Sequence, residues 1–388
     1  MMESTITVTA RGEERIRNGH FWVYRADVAR GQAEPGAVVR IAGPGGRFLA
    51  RGFYSDRSQI VLRILTRDEV PVDREFWRSR LQQAIRFRDL LDIDASAHRL
   101  VHGESDLIPS LIVDRYGDYV VLQALSQGTD RLLPEVASLL VDLVEPKGVI
   151  ARNDPRVRLL EGLDQHVTVV HGTIPDRVTV REGKIEYDVD LRHGQKTGAF
   201  LDQRENRIAA ARYVRGRTLD CFSYAGGFAL QLAPRVEEVT ALDISDDATA
   251  LLVRNAARNR LSNVQARTTN VFDELRTLER MGETFDAIVL DPPAFAKSKA
   301  AIPKALSGYK EINLRALKLL GPGGFLITCS CSYHVNESAF ADIVLDAALD
   351  ARVDVSVVEK RMQSRDHPVL LGMPETYYLK CFILRKLA

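Results

Sequence analysis

The sequence predicts an α/β protein whose C-terminal part is a doubly wound, mostly parallel sheet. From residue 217 onwards, short apolar strands alternate with amphipathic helices, and polar or glycine-containing turns follow the strands. The chain has 388 residues, of which 45% are hydrophobic and 27% charged. That length favours two or three globular domains, and that composition excludes a mainly disordered or fibrous protein.

Three domains are predicted along the chain. The first seventy residues contain short strands separated by glycine-rich turns, which is typical of a small β-barrel or sandwich. Residues 73–91 carry apolar side chains at helical spacing and are followed by further strands, so the middle region should be α+β. A strand pair at 178–191 then leads into the alternating last region. The predicted boundaries are 1–71, 72–185 and 186–388.

The individual strands follow from apolar runs bounded by turn residues. In the first two domains they are predicted at 37–42, 48–54, 59–65, 111–114 and 119–125. In the last domain they are predicted at 217–221, 238–242, 264–268, 285–290 and 324–329, with helices such as 246–260 and 309–320 between them. Ligands of doubly wound sheets bind at the carboxyl ends of the strands, so residues directly after each strand are candidates for the site.

Residues after the first three of these strands favour an adenosine-containing ligand. The turn 222–227 includes Gly226, which would let the backbone approach a ligand, although a tight turn without any ligand is the alternative. The full G-x-G-x-x-G spacing of a dinucleotide site is missing. Asp243 is placed to accept hydrogen bonds from both hydroxyls of a ribose, or else to cap the next helix. Asn270 and Phe272 would frame an adenine.

The fourth and fifth strands are followed by a carboxylate and a thiol. The prolines of the segment 291–295 fix a rigid loop that holds Asp291 and Phe295 in one geometry. Cys331 follows the fifth strand and should lie at the same edge of the sheet. A free cysteine is most often buried and inert, so only this position makes Cys331 a candidate nucleophile.

Charge, cysteine content and hydropathy restrict the expected binding partners, metals and cellular location. The net charge is only +1, but residues 192–217 hold seven Lys or Arg against two acids, and residues 293–310 hold four lysines and no acid. Such runs are usually solvated faces, yet both flank the motifs above, which favours a nucleic-acid partner. The four cysteines match neither a disulfide framework nor zinc spacing, so free thiols and no metal are expected. No export signal or membrane span is predicted, and the expected location is cytoplasmic.

Together the motifs resemble the class I methyltransferase fold, and their order is similar to that of the RlmI-type family of 23S rRNA (cytosine-C5) methyltransferases. The resemblance covers essentially the whole chain and is most specific at 194–207, 291–295 and 330–332. In that family the N-terminal barrel is a PUA domain, an RNA-binding module, and segments 99–106 and 113–118 are similar to its middle domain. The resemblance implies S-adenosylmethionine as cofactor, large-subunit ribosomal RNA as partner, and a homodimer.

The turns and the resemblance together predict the site residues. The expected cofactor contacts are Gln195, Thr197, Phe200, Asp202, Arg207, Phe222, Ser223, Tyr224, Gly226, Asp243, Ile244, Asn270, Val271, Phe272 and Asp291. The expected RNA contacts are Arg11, Arg15, Lys196, Lys297, Lys299 and Lys310. The N-terminal arginines precede aromatic residues, a mixture suited to backbone contact and stacking unless those aromatics form the core of the barrel.

The implied chemistry needs a thiolate, because C5 of cytosine is a poor nucleophile until a nucleophile adds at C6. Cys331 is predicted to be that nucleophile, in preference to Cys329, because its surroundings are similar to the nucleophile motif of RNA cytosine methyltransferases. Asp291 is predicted to stabilise charge that develops on the base. Many such enzymes carry a second cysteine where this chain has Ala294, so the base that removes the C5 proton is either water or Asp291.

Two other functions fit the same sequence. An Asp-Pro-Pro-aromatic loop also suits methylation of an exocyclic nitrogen on guanine or adenine, which requires no thiol. A noncatalytic RNA-binding or ribosome-assembly protein that retains the fold is the second alternative.

Overall fold

The structure is a computed structural model and describes residues 4–296 and 301–387. The chain forms two compact units, and each is assembled from separate stretches of sequence. The first unit contains the chain up to Val180, residues Val189–Leu201 and residues Arg365–Thr376. The second contains Arg181–Asp188, Asp202–Ser364 and the chain from Tyr377 onwards. The two units record only which residues pack together, so the three-domain division stays a prediction.

The first unit begins with a six-stranded mixed sheet. Its elements are β1 (Thr5–Val8), α1 (Ala10–Arg17), β2 (Trp22–Tyr24), β3 (Val28–Arg30), β4 (Val38–Ala42), β5 (Phe48–Tyr54) and β6 (Ile60–Thr66). The strand order is β2-β6-β5-β4-β1-β3, with β1 parallel to β4. Buried side chains such as Ile6, Ile41 and Leu62 form its core. The three strands predicted here are confirmed, each to within a residue at its ends.

A five-stranded sheet with two helices completes most of the first unit. Its elements are α2 (Arg74–Asp89), β7 (Ala97–His102), β8 (Leu111–Tyr116), β9 (Tyr119–Ala124), α3 (Gln127–Val144), β10 (Gly148–Asn153) and β11 (His166–Gly172). The strand order is β11-β10-β9-β8-β7. Trp77 of α2 stacks on Phe53 of β5 with ring centroids 5.6 Å apart, so the two sheets of this unit share a core. The predicted helix begins as expected, with Asp73 as its N-cap.

Residues Arg365–Thr376 return to the first unit from near the end of the chain. The carbonyl of Asp366 accepts a hydrogen bond of 2.8 Å from Nη2 of Arg88, and its Oδ2 accepts one of 2.8 Å from the backbone N–H of Arg99. Asp366 is fully buried, and Met373 lies in the core of the six-stranded sheet. This late segment therefore satisfies buried hydrogen-bonding groups of the first unit.

The second unit is built on a seven-stranded sheet. Strands β12 (Val178–Glu182) and β13 (Ile185–Val189) form a separate two-stranded sheet. The strands of the large sheet are β14 (Arg217–Cys221), β15 (Glu238–Asp243), β16 (Val264–Thr268), β17 (Phe285–Leu290), β18 (Leu320–Ser330), β19 (Val355–Arg361) and β20 (Lys380–Lys386). The helices are α4 (Arg204–Ala210), α5 (Gly227–Leu232), α6 (Asp246–Arg258), α7 (Val271–Met281), α8 (Ile302–Leu319) and α9 (Glu337–Ala351).

The strand order of this sheet is β16-β15-β14-β17-β18-β20-β19. Strands β14 to β18 are parallel, whereas β20 runs antiparallel to both of its neighbours. Apolar clusters cover the sheet, one of them around Leu219 and Ile288 and another around Ala287 and Ile327. The predicted doubly wound fold is confirmed. The order reverses at β14, which lies between β15 and β17, so the carboxyl ends of these three strands meet at the switch point.

The second unit differs from the prediction in its number of strands and in where two of its elements begin. It contains the two additional strands β19 and β20. Strand β18 begins at Leu320, four residues before the predicted start, and α8 begins at Ile302, seven residues before the predicted start. The early start of α8 is compatible with Pro303, because a proline in the first turn of a helix removes no hydrogen bond that the helix would form. None of the helices in the described part of the chain combines the length and apolar character that a bilayer crossing requires.

Candidate active site

The turn after β14 is strained and held in one conformation. Phe222, Tyr224 and Gly226 all have left-handed backbone angles, with φ of +64°, +48° and +93°. For residues other than glycine this conformation is costly and persists only where the surroundings fix it. A hydrogen bond of 2.9 Å from the backbone N–H of Tyr224 to Oδ2 of Asp243 helps to hold the turn in this conformation. The turn and the end of β15 therefore form one rigid edge.

The two glycines of this turn are required by the protein itself. A Cβ on Gly226 would lie 2.9 Å from Cγ of Leu252, and a Cβ on Gly227 would lie 2.7 Å from Nε of Arg207. Both distances are too short for real side-chain contacts. Packing accounts for both glycines, and Gly226 also has a left-handed backbone, so a bound ligand is not needed to explain them.

Asp243 ends β15 with its carboxylate held in place. Besides the bond from Tyr224, its Oδ1 accepts a hydrogen bond of 3.0 Å from the backbone N–H of Ser245. Ser245 is the N-cap of α6, since its hydroxyl accepts from the backbone N–H of Ala248 at 3.3 Å, so the helix-cap role considered for Asp243 is excluded. Each carboxylate oxygen keeps a further lone pair for a hydroxyl donor. The next residue, Ile244, is exposed.

Asp220, near the end of β14, carries a buried carboxylate. Its Oδ2 accepts from the backbone N–H of Ala229 at 2.9 Å, but its Oδ1 has no partner in the described part of the chain. Burial, together with the charges of Asp291 and Asp243, raises the pKa of Asp220 to about 8. A buried oxygen without a partner calls for a donor, and clustered carboxylates attract positive charge. This edge therefore suits a cationic ligand that donates hydrogen bonds.

Three aromatic rings meet at the same edge. Phe222, Phe272 and Phe295 follow β14, β16 and β17, and their ring centroids are 6.0 to 6.5 Å apart. Asn270 caps α7, with its Oδ1 accepting from the backbone N–H of Phe272 at 2.9 Å. Val271 is buried in the apolar core, so its side chain is not accessible to a ligand. The half-buried rings provide an apolar surface for a flat heterocycle.

Asp291 is oriented by a buried amide. Nε2 of Gln203 donates to Oδ1 of Asp291 at 2.7 Å, and Oε1 of the same amide accepts from Nδ2 of Asn206 at 2.6 Å. Gln203 and Asn206 are both buried. The carboxylate is therefore held by a side-chain network as well as by the rigid proline loop. Gln203 lies inside the motif 194–207 but was not predicted as a site residue.

Cys331 lies on the loop that follows β18, next to the loop that carries Asp291. Its Sγ is 3.8 Å from the carbonyl oxygen of Pro292. The hydroxyl of Ser332 accepts from the backbone N–H of Ala296 at 3.2 Å and lies 3.0 Å from the hydroxyl of Tyr309. These contacts join the two loops, so the thiol and the carboxylate occupy adjacent positions at the sheet edge.

Cys329 is in a different environment, although it is only two residues away. It is fully buried within β18 and is paired in register with Cys381 of β20. Burial, and then the adjacent thiol of Cys381, raises the pKa of Cys329 well above its ordinary value. Such a thiol is a poor nucleophile. Cys331 is only partly buried, and all four cysteines of the chain are free thiols.

Several other predicted cofactor residues are already engaged within their own unit. In the first unit the hydroxyl of Thr197 donates to Oδ2 of Asp114 at 2.6 Å, and Nζ of Lys196 lies 4.5 Å from the ring centre of Phe200. Gln195 is exposed beside them. These residues are thus placed on a turn that is held by the five-stranded sheet.

In the second unit Asp202 and Arg207 are buried and hydrogen-bonded. Oδ2 of Asp202 accepts from the hydroxyl of Tyr378 at 2.7 Å, and Nη1 of Arg207 donates to Oε2 of Glu182 at 2.8 Å. Burial alone would lower the pKa of Arg207, but Glu182 and other nearby anions outweigh it and the pKa is raised. Ser223 is also buried, and its backbone N–H donates to the carbonyl of Leu242 at 3.0 Å.

The N-terminal residues predicted to contact RNA have partners within the six-stranded sheet. Arg11 pairs with Asp27, and Nε of Arg15 lies 3.4 Å from the same carboxylate. The guanidinium of Arg15 also lies 4.8 Å from the ring centre of Tyr24. Phe21 belongs to the core of the sheet, so the core interpretation holds for that aromatic residue.

The predicted lysine contacts fall partly outside the structure. Nζ of Lys310, on α8, lies 2.9 Å from Oδ2 of Asp350, so this surface lysine already forms an ion pair. Lys297 and Lys299 lie outside the described residues. Within the described residues, His, Cys, Asp and Glu side chains do not form any group of three or more that is placed to hold a metal ion.

The fold and the edge of the sheet define an S-adenosylmethionine-dependent methyltransferase. Residues 164–370 match the family described as S-adenosylmethionine-dependent methyltransferase, and residues 6–67 match the PUA-like domain. The chain is 41% identical to the ribosomal RNA large subunit methyltransferase I of Tolumonas auensis, covering 99% of this chain and 100% of that relative. It is 40% identical to the protein of the same name from Escherichia coli O157:H7, covering 97% and 98%. The chain belongs to the ribosomal RNA large subunit methyltransferase I family.

Solved structures share the fold over the full length. The crystal structure of SMU.776 complexed with S-adenosylhomocysteine has a TM-score of 0.86 at 21% identity and covers 99% of this chain and 100% of that one. A structure from Streptococcus mutans has a TM-score of 0.85 at 20% identity, with the same coverage. The predicted enzyme class and cofactor, S-adenosylmethionine, are confirmed.

Proposed function

We propose that this enzyme transfers a methyl group from S-adenosylmethionine to C5 of a cytosine in 23S ribosomal RNA, through a covalent bond between Cys331 and C6 of the base. The observation that carries the proposal is the pairing of an accessible thiol with an oriented carboxylate. Cys331 and Asp291 lie on adjacent loops at the switch-point edge, with Sγ 3.8 Å from the carbonyl oxygen of Pro292. The names of the relatives support large-subunit ribosomal RNA as substrate.

The residues at the edge of the sheet fit the cofactor. S-adenosylmethionine supplies an electrophilic methyl group on a positively charged sulfur. Asp243 would accept both ribose hydroxyls, and the rings of Phe222 and Phe272 would enclose the adenine. The carboxylate of Asp291 would face the positive charge of the cofactor, and the unpartnered Oδ1 of Asp220 would gain a hydrogen-bond partner.

The thiolate of Cys331 activates the base by adding to C6. The addition turns C5 into an enamine carbon that is able to accept the methyl group. Asp291, held by Gln203, accepts a hydrogen bond from the exocyclic amine or the protonated ring nitrogen and stabilises the charge that develops there. Loss of the C5 proton to water or to Asp291 re-forms the C5–C6 double bond, and the Cys331 sulfur leaves with the electrons of its bond to C6.

Recognition of the RNA would involve the N-terminal PUA-like region. We expect its basic residues to contact phosphates, together with Lys196, Lys297, Lys299 and Lys310, and we expect the enzyme to act in the cytoplasm as a homodimer. Phosphate contacts of this kind make binding dependent on salt concentration.

The product nucleoside tests the proposed function directly. Large-subunit ribosomal RNA from a strain that lacks the gene should gain 5-methylcytidine when it is incubated with the enzyme and S-adenosylmethionine. Digestion to nucleosides followed by mass spectrometry measures the gain, and ribosomal RNA from the parent strain, already methylated, is the control. Formation of an N-methylated guanosine or adenosine instead would support the exocyclic-nitrogen alternative and contradict ours.

Loss of the Asp243 carboxylate should weaken cofactor binding. We expect Asp243→Ala to reduce the affinity for S-adenosylmethionine by about 1–3 kcal/mol, because two hydroxyls of the ribose lose their shared acceptor. Isothermal titration calorimetry measures the change. Asp247→Ala is the matched control, since Asp247 is an exposed acid in the first turn of α6 and its loss should leave the affinity unchanged. Equal affinity of the Asp243 variant and the unaltered enzyme would show that another residue binds the ribose. If the unaltered enzyme did not bind S-adenosylmethionine, the noncatalytic alternative would be favoured.

A further inference from the structure

Lys380 is a buried lysine directly beside the loop of Cys331. It begins β20 and is paired in register with Ser330, the last residue of β18. Only 1% of its surface is exposed. Its Nζ donates to the carbonyl of Ser332 at 2.8 Å and to that of Tyr378 at 3.0 Å. The side chain therefore anchors the residue that follows Cys331.

Among the described residues, the ammonium group of Lys380 forms no ion pair with a carboxylate. Both of its acceptors are neutral carbonyls, and in the described part of the chain no carboxylate lies within 4.0 Å of its Nζ. An ammonium group has three donors, so one N–H remains beyond the two carbonyls. Burial lowers the pKa of Lys380 to about 8, while the charges of Cys331, as a thiolate, and of Glu337 act in the opposite direction. A buried cation of this kind gains most from an anion that forms next to it.

We propose that the ammonium group of Lys380 is the positive charge that stabilises the thiolate of Cys331. Lys380 is then a positioning residue, which fixes the loop through the carbonyl of Ser332 and keeps the nucleophile in its anionic form. The thiol proton goes to solvent and Lys380 retains its three protons, so the pair is neutral overall. This inference deepens the proposed function, on which the role of the thiolate rests.

Three titratable groups near the pair, Glu337, Tyr309 and Tyr377, keep one charge near neutral pH. Glu337 of α9 accepts from Nζ of Lys360 at 2.9 Å and from the hydroxyl of Tyr377 at 2.8 Å, and these bonds lower its pKa. Burial raises the pKa of Tyr309 and of Tyr377, so both stay neutral. Asp220, on β14, also titrates near pH 8. An Asp220→Asn background removes that contribution.

Alkylation of Cys331 at different pH values tests the pair without RNA or cofactor. The rate of modification by iodoacetamide, measured by mass spectrometry of the peptide that contains Cys331, reports the thiolate fraction. We expect Lys380→Met to raise the midpoint of the pH profile by at least about one unit, which lowers the rate at pH 7 about tenfold. Lys380→Arg, which keeps the charge, should leave the midpoint close to that of the unaltered enzyme.

Lys386→Met is the matched control. Lys386 lies at the other end of β20, also donates to two backbone carbonyls and also has its pKa lowered by burial. Its removal should leave the alkylation midpoint of Cys331 unchanged. A folded Lys380→Met variant with an unchanged midpoint would overturn the proposal.

A reciprocal measurement covers the case in which Lys380→Met does not fold. Coupling between two sites acts equally in both directions. Cys331→Ala should therefore lower the pH midpoint for titration of Lys380, which nuclear magnetic resonance of lysine labelled at Cε measures. An unchanged midpoint would again overturn the proposal. If 5-methylcytidine forms through Cys331 while both midpoints are unaffected, the inference about Lys380 fails and the proposed function stands. If both midpoints shift but the product is N-methylated, the electrostatic pairing of Lys380 and Cys331 stands and the proposed function fails.

Discussion

RNA that carries 5-fluorocytosine at the target position should become covalently bound to this enzyme and migrate with it in a denaturing gel. Fluorine cannot leave C5 as a proton does, so elimination stalls after methyl transfer and the bond between Cys331 and C6 remains. Cys331→Ala should abolish both the adduct and turnover with ordinary RNA. Normal methylation by the Cys331 variant would exclude the C5 mechanism and favour methylation of an exocyclic nitrogen.

Cys329→Ala is the control for this experiment. Cys329 is fully buried, and burial raises the pKa of its thiol well above the ordinary value. We therefore expect the Cys329 variant to form the adduct and to lose at most a modest part of its rate. If instead Cys329→Ala abolished the adduct and Cys331→Ala retained it, the roles of the two cysteines would be exchanged.

Replacement of Arg207 should destabilise the second unit strongly. Arg207 and Glu182 form a buried ion pair of 2.8 Å, and the hydroxyl of Tyr187 also donates to Oε2 of Glu182 at 2.9 Å. Arg207→Met leaves an uncompensated carboxylate in the interior, which typically costs about 3–5 kcal/mol. Urea denaturation should show this loss in the free energy of unfolding. The double variant Arg207→Met with Glu182→Gln should recover most of it, because no buried charge is left unpaired.

Arg258→Met provides the comparison for an exposed pair. Nη2 of Arg258 lies 3.0 Å from Oδ1 of Asp188, and both side chains are partly accessible to solvent. Solvent screens such a pair, so its loss should cost less than about 1 kcal/mol. Equal losses for the two arginine variants would show that burial of the Arg207 pair adds nothing to stability, contrary to our expectation.

The sequence predicted the parallel part of the sheet well, because turn residues such as Gly216, Asn263 and Pro292 bound its strands. The bounds of β14, β16 and β17 agree with the prediction at both ends. The antiparallel strand β20 was not predicted, since its position between β18 and β19 depends on tertiary pairing between residues far apart in sequence. Local patterns carry no information of that kind.

The candidate site was predictable where a residue directly follows a strand. Asp243 and Asp291 were predicted for that reason, and both lie at the same edge of the sheet; their roles stay predictions. Gln203 was missed because its partner Asp291 is 88 residues away. Lys380 has a weak local signal, since it is a charged residue at the start of the apolar run 379–384. A role for Lys380 could be inferred only from its buried contacts with the loop of Cys331, which the structure shows.

Because residues Arg365–Thr376 belong to the first unit, that unit cannot be completed while the ribosome is still translating the second. Many proteins fold their N-terminal part first during synthesis. Here the buried guanidinium of Arg88 and the backbone N–H of Arg99 lack their Asp366 acceptors until almost the whole chain has been made. A product that stops before residue 366 would contain most of the first unit but leave it open to proteases.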